Sequence, residues 1–281
     1  MDRAALQRQV EALAEVEDGI RVIRLQQVHA LAATNDCPIR EVELAALEVG
    51  VVPWRYVRNL GTIGLEGQAK LLQATVAVVG LGGLGGYVTE ALARMGVGQL
   101  ILIDGDVFEE HNLNRQLLSA ETSLGTDKAQ AARQRVAEIN NAVAVTSHAE
   151  MATRENLSRL LEGADVVVDG LDRLPARLIL QEETRALGIP MVHGSIAGFL
   201  GQVMTIFPDD PGLLSLYGEP GELPEQGLEA QVGTPAATPM AVAAWEAQEV
   251  VKILVGRGDL LRHRLLVMDM ESGTIETLQL D

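Results

Sequence analysis

One cysteine in 281 residues leaves no intramolecular disulfide and no multi-cysteine zinc site. Basic residues are scarce as well: 22 Lys and Arg face 39 Asp and Glu, a formal charge of −17. A nucleic-acid surface gains its affinity from cations on phosphates, so this balance argues against DNA binding. No apolar run approaches the roughly 18 residues that a membrane-spanning helix requires. Met1-Asp2-Arg3 leads into a charged amphipathic stretch rather than an apolar leader core. These absences point to a soluble, cytoplasmic protein with no membrane or DNA partner. What is present fits that expectation, since 47% hydrophobic and 22% charged residues exclude wholesale disorder. The length falls between one large domain and two ordinary ones.

Residues 1–50 read differently from the rest. Leu6, Val10, Leu13 and Val16 recur at helical spacing, as do Ile20, Ile23, Val28 and Leu31 with some drift. Thr34-Asn35-Asp36 marks a turn, Pro38 opens another helix and Gly50 closes it. The pattern predicts a small helical extension of two or three helices, suited to packing against a partner subunit. Short helices around a polar turn invite a helix-turn-helix reading, but five Arg against nine acids, a net charge of −4, would repel phosphates.

From residue 70 the chain alternates strands with helices. Thr75–Val79 is a β-branched run ending in Gly80-Leu81-Gly82-Gly83-Leu84-Gly85-Gly86, and a helix follows to about Met95. Strands are predicted over Gln99–Ile103, Val143–Ser147 and Asp165–Asp169, with a helix over Lys128–Ile139. Such alternation implies a parallel, doubly wound sheet. Later come Met191–Gly194, an antiparallel pair around Gly201–Phe207, a helix over Ala241–Val255, and a hairpin of Arg264–Met270 with Thr274–Leu280. The sheet is therefore parallel in its first half and antiparallel in its second. Pro208–Glu229, with six acids and no basic residue, is predicted to be a long loop.

Gly80-x-Gly82-x-x-Gly85, after a strand and before a helix, fits a nucleotide-binding turn in which backbone amides approach phosphates at a helix N-terminus. Asp104 ends the next strand, where an acid grips ribose hydroxyls. These features leave NAD and ATP undecided. Asp106, Asn112-Leu113-Asn114-Arg115-Gln116 and Lys128 favour ATP, because a triphosphate and a departing pyrophosphate need cationic side chains. Asp169 and Asp172 add carboxylates at a strand's C-terminal end, and a hard oxygen ligand there suits Mg²⁺ on phosphates.

Taken in order, Arg55-Tyr56-x-Arg58-Asn59, Gly64-x-x-Gly67-Gln68-x-Lys70-Leu71, the glycine loop, Asp104-x-Asp106, Asn112–Gln116, Gly125-x-x-Lys128 and Asp169-x-x-Asp172-Arg173 resemble the ThiF/MoeB/HesA family. Gly194, Gly201-Gln202 and Trp245-x-x-x-Glu249-x-x-Lys252 extend the likeness over roughly residues 53–281. The resemblance implies a Rossmann-like mixed α/β sheet, with a helical extension over 1–50 and an adenylation domain over 51–281. It implies an adenylyltransferase that joins the C-terminal glycine carboxylate of a ubiquitin-like sulfur carrier, of ThiS or MoaD type, to AMP and releases pyrophosphate. By position, Gly80, Gly82, Gly83, Gly85, Asp104, Asp106, Asn112 and Gln116 would bind the nucleotide. Arg115 and Lys128 would hold phosphates, Asp172 would hold Mg²⁺, and Arg58 would reach the neighbouring subunit's site in a homodimer.

The chain also departs from the family. Leu213-Leu214-Ser215-Leu216 stands where many relatives carry the first of two zinc-binding Cys-x-x-Cys pairs, so no zinc is expected. The stretch from Gly227 to Pro235 lacks the cysteine with which some relatives take the activated carrier, and Cys37 lies in the extension. The reaction is thus expected to stop at the adenylate. A tRNA-modifying dehydratase of the same chemistry, a catalytically silent carrier-binding subunit and an NAD-dependent oxidoreductase are the alternatives. The −17 charge, the joint presence of Arg58, Arg115, Lys128 and Asp172, and the lack of a proton donor beside the glycine loop weigh against them in turn.

Overall fold

A computed structural model describes residues 2–218 and 229–280. The extension opens with α1 (Arg3–Leu13), whose N-cap Asp2 accepts the Ala5 amide. A hairpin of β1 (Glu15–Glu17) and β2 (Ile20–Ile23) follows, then α2 (Leu25–Thr34) and α3 (Ile39–Glu48). The hairpin corrects the helical reading of Val16, Ile20 and Ile23. Asp18 and Gly19 both have positive φ, as a two-residue type I′ turn requires, and Asp-Gly is the pair that supplies it. β3 (Val52–Pro53) pairs parallel with β2. Leu6, Val10, Val28, Val42 and Ala45 pack among themselves as a separate small core.

A 3-10 turn over Trp54–Asn59 leads into α4 (Leu60–Gln73), which Gly64 interrupts with φ 69°. The main sheet then forms from β4 (Thr75–Val79), β5 (Gln99–Ile103), β6 (Ala144–His148), β7 (Val166–Asp169), β8 (Met191–Ala197), β9 (Leu200–Ile206), β10 (Arg264–Asp269) and β11 (Thr274–Gln279). The spatial order is β11-β10-β9-β8-β7-β4-β5-β6. β8, β7, β4, β5 and β6 run parallel, and β8 to β11 run antiparallel, as the sequence pattern predicts. Helices α5 (Gly85–Met95), α6 (Lys128–Ile139), α7 (Leu157–Leu160) and α8 (Leu174–Leu187) make the crossovers. β4 and β7 are buried on both faces, which is why they read as near-continuous Val runs.

Short helices α9 (Leu213–Tyr217) and α10 (Glu229–Val232) precede α11 (Ala237–Val255). α9 lies within the predicted loop Pro208–Glu229, and its Leu213 is fully buried against Met204, Ile206 and Leu180. Residues 219–228 of that loop lie outside the described residues. α11 starts four residues before its predicted beginning because Pro239 sits in its first turn, where a missing amide donor is harmless. It crosses β8 and β9 at Gly194 and Gly201: a Cβ at Gly194 would lie 2.5 Å from Glu246, and one at Gly201 would clash with Val242. Glu249 accepts bonds from Thr205 Oγ1 (2.6 Å) and the Leu261 amide (2.8 Å) and pairs with Lys252. The Trp245–Lys252 motif thus fastens α11 to the antiparallel half of the sheet. Among the described residues, no helix is long and apolar enough to cross a membrane.

Candidate active site

The chain runs from β4 to β5 and β6 on one side of β4, then returns to place β7 on the other side. Crevices at such reversals, beyond the strands' C-terminal ends, are where open α/β sheets bind ligands. Here the loops after β4 and β7 touch backbone to backbone. Gly80 has φ 88°, and a Cβ on it would lie 2.5 Å from Gly170 O. A Cβ on Gly85 would overlap Gly80 O, so the loop folds back on its own start without room for any side chain.

The predicted site residues assemble around this contact. Asp104, at the end of β5, accepts the Leu81 amide on Oδ2 (2.7 Å) and the Asp106 amide on Oδ1 (2.8 Å). A carboxylate has about four lone-pair sites, so both oxygens keep capacity for another donor. Burial raises the Asp104 carboxyl above its ordinary range, opposed by the Lys128 charge. Lys128, the first residue of α6, is buried and places Nζ 2.9 Å from Asp106 Oδ2. Gln116 is buried beside Gly82, and its Oε1 has no hydrogen-bond partner among the described residues. Gly83 lies between Arg115 and Pro239 of α11.

Arg115 is half-buried and donates to His111 O (2.9 Å) and Asn114 Oδ1 (2.8 Å). Desolvation lowers its guanidinium pKa, and Asp172 acts in the opposite sense. Asp172 itself is exposed. Asn112 is buried, its side-chain oxygen accepts the Glu109 amide (3.0 Å), and its carbonyl accepts the amides of Arg115 and Gln116. It therefore shapes the turn that presents those two residues.

Arg58 stands apart. It is exposed, with no ion pair among the described residues. Its neighbour Asn59 donates to Gln68 Oε1 (2.8 Å), and Gln68 donates to Met95 O (2.9 Å) at the C-terminal end of α5. The 11 residues of α5 separate that end from the glycine loop by about 16 Å, longer than an arginine side chain.

Asp169 and Asp172 are not equivalent carboxylates. Asp169 is fully buried, accepts the Leu171 amide on Oδ1 (3.0 Å), and lies 2.7 Å from His193 Nδ1 through Oδ2. His193 was not among the predicted site residues. The signal for it is local: His193 ends an apolar run beside Asp169, which ends another, and the two are register partners in adjacent strands. Burial holds the His193 pKa below its ordinary value, with Asp169 opposing. Burial also pushes the neighbouring Glu246 carboxyl well above the usual range, and the Asp169 charge adds to that. Thr234, whose carbonyl accepts from Asn114 Nδ2 (3.1 Å), and Pro239 of α11 also border the crevice unpredicted.

The model of the ThiF family matches residues 56–281. A SAMP-activating enzyme E1 of Haloferax volcanii is 38% identical over 229 residues, covering 80% of this chain and 84% of its own. An adenylyltransferase and sulfurtransferase MOCS3 of Drosophila yakuba is 30% identical over 279 residues, and the matched part is 62% of its length. Among solved structures, E. coli MccB with ATP aligns with a TM-score of 0.67 at 20% identity, covering 90% of this chain and 82% of that one. That likeness concerns the fold.

Proposed function

The chain belongs to the ThiF family and is an adenylyltransferase, and from that premise we propose that it adenylates the C-terminal glycine carboxylate of a ubiquitin-like sulfur carrier of ThiS or MoaD type. One observation carries the reading: three sets of contacts meet at the β4–β7 crevice. Gly80 abuts Gly170, Leu81 is tied through Asp104 and Asp106 to Lys128, and Gly82 and Gly83 lie against Gln116 and Arg115, whose guanidinium feels the charge of Asp172. We assign the chemistry to residues 51–281 and treat residues 1–50 as an appended unit.

In this reading the glycine-loop amides and Asp104 hold phosphates and ribose, and the buried Gln116 Oε1 awaits a donor. Lys128 has three N–H donors, so it can keep Asp106 and still meet a phosphate oxygen. A carrier carboxylate oxygen attacks the α-phosphorus of ATP, a new P–O bond forms, and the bond to the β-phosphate bridging oxygen breaks. Products are the acyl-adenylate and pyrophosphate. Arg115 and Lys128 stabilise the charge that moves onto the pyrophosphate, the interaction that lowers such barriers most. Among the described residues no three carboxylates, histidines or cysteines cluster as a metal site. The exposed Asp172 therefore fits a Mg²⁺ held mostly by phosphates and water, and such an ion would supply neutralisation of the phosphate charge.

The tie of Asn59 through Gln68 to the C-terminal end of α5, about 16 Å along that helix from the glycine loop, supports a homodimer in which Arg58 enters the partner's crevice. No cysteine stands between Gly227 and Pro235, so the adenylate is the end point here. The test is carrier-dependent exchange of labelled pyrophosphate into ATP, using ThiS- and MoaD-type carriers ending in glycine. Exchange with either supports the reading. Tight NAD(H) binding with no exchange for any carrier overturns it.

A further inference from the structure

Beneath the segment that carries Arg58, four polar side chains from three parts of the chain close into one knot. Tyr56, buried in the 3-10 turn, donates its hydroxyl to Glu43 Oε2 (3.0 Å) of α3 in the extension. Asn140, just beyond α6, donates to the Tyr56 hydroxyl (2.8 Å) and to Ala93 O (3.0 Å) near the end of α5. The Asn140 side-chain oxygen accepts from Arg55 and from the Ala142 amide (3.1 Å). Arg55 also places Nε 3.5 Å from Glu43 Oε1. The Tyr56 ring sits against Gly96, where a Cβ would lie 2.5 Å from it.

Asn140 makes all four bonds its amide allows, and the Tyr56 hydroxyl both donates and accepts. Apolar side chains of the same shape would hold these elements together at least as firmly. Glu43 Oε1 has only the Arg55 charge and no hydrogen bond among the described residues, but the fully used Asn140 amide and Tyr56 hydroxyl favour a single geometry, because a shift would leave another buried polar group unpaired. That geometry is imposed two residues before Arg58. On the far side, Asn59 is tied through Gln68 to Met95 O. Arg58 is thus the free side chain of a segment clamped on both flanks.

We infer that Glu43 of the N-terminal extension is a positioning residue for Arg58, acting through Tyr56, Arg55 and Asn140. The inference rests on the reading that Arg58 works in a partner's crevice, and it gives the extension a part in turnover without touching substrate. A misplacement of about 1 Å at a reacting centre costs up to roughly 10²-fold in rate. Glu43→Ala and Tyr56→Phe should therefore lower kcat for carrier-dependent AMP formation by roughly 10- to 100-fold, with the KM for ATP within about twofold.

Glu43→Gln, which keeps an acceptor for Tyr56, should recover most of the rate. Neither damaging change should lower kcat further when added to Arg58→Ala. Hydrogen exchange should quicken at the amides of residues 54–60 in both. Should Glu43→Ala fold poorly, Tyr56→Phe carries the test alone, since it keeps the ring. Losses that multiply with Arg58→Ala, or an unchanged kcat in Tyr56→Phe, overturn the inference and leave the adenylation reading standing. Wild-type kcat in Arg58→Ala instead overturns the role of Arg58 in the partner's site, and this inference with it.

Discussion

Replacing Glu43 by Gln should stabilise the protein increasingly as pH rises from about 4.5 to about 7 and do little below about 4.5. Burial lifts the Glu43 carboxyl from 4.5 to about 7, against the opposing Arg55 charge and the Tyr56 hydrogen bond. A folded-state value above the unfolded one means that the folded protein holds the extra proton. The associated stability is complete below about 4.5 and is lost as pH rises through about 7. At about 1.36 kcal/mol per pH unit the full contribution is about 3 kcal/mol. Working above the sequence pI of about 4.7 and between pH 5.5 and 8.5 captures about 2 kcal/mol of it. Gln copies the protonated shape and never ionises, so the variant lacks this loss. Urea unfolding of both proteins at several pH values gives the difference directly, and groups common to both, Glu246 among them, cancel. A difference between variant and parent that stays constant across the window refutes the argument, because Glu43 would then be ionised throughout as a plain partner of Arg55.

Asp172→Ala and Lys128→Ala should each lower turnover by roughly 10²–10³-fold if their charges act on the transition state, and near-normal rates in both would refute their assigned roles. Gly85→Ala, whose new methyl overlaps Gly80 O, should cost about 1–3 kcal/mol in denaturant unfolding and abolish nucleotide binding; a stable variant that still binds would mean the loop can open without loss. ATP with Mg²⁺ at 100 times its dissociation constant should stabilise the parent by about 2.7 kcal/mol, visible as a melting shift that weakens in Asp172→Ala, whereas a shift with NAD(H) alone would count against the site.

Much of the fold was legible because parallel strands buried on both faces announce themselves as Val and Ile runs, as in Thr75–Val79 and Val166–Asp169. Lys128–Ile139 matches its predicted helix residue for residue. The extension is less legible: Val16, Ile20 and Ile23 keep near-helical spacing by chance, although the Asp18-Gly19 turn separates them into two strands. In the site, residues named by the glycine loop and its neighbours were legible because their spacing reflects one local turn. His193, Thr234, Glu246 and Pro239 were not, since strand register and helix crossing bring them in from far along the chain. The division between Asp169 and Asp172 was equally hidden, because two acids three positions apart look alike until one proves buried.

The backbone contact between Gly80 and Gly170 has a thermodynamic consequence. Together with the Asp104 bond to the Leu81 amide, it means that the cradle for the phosphates is assembled when the chain folds. Ordering a loop residue costs about 1–2 kcal/mol, and here that entropy is lost on folding rather than on each encounter with nucleotide. Affinity is left to be set by charge and desolvation, so it should fall with added salt far more than with any change that merely loosens distant loops.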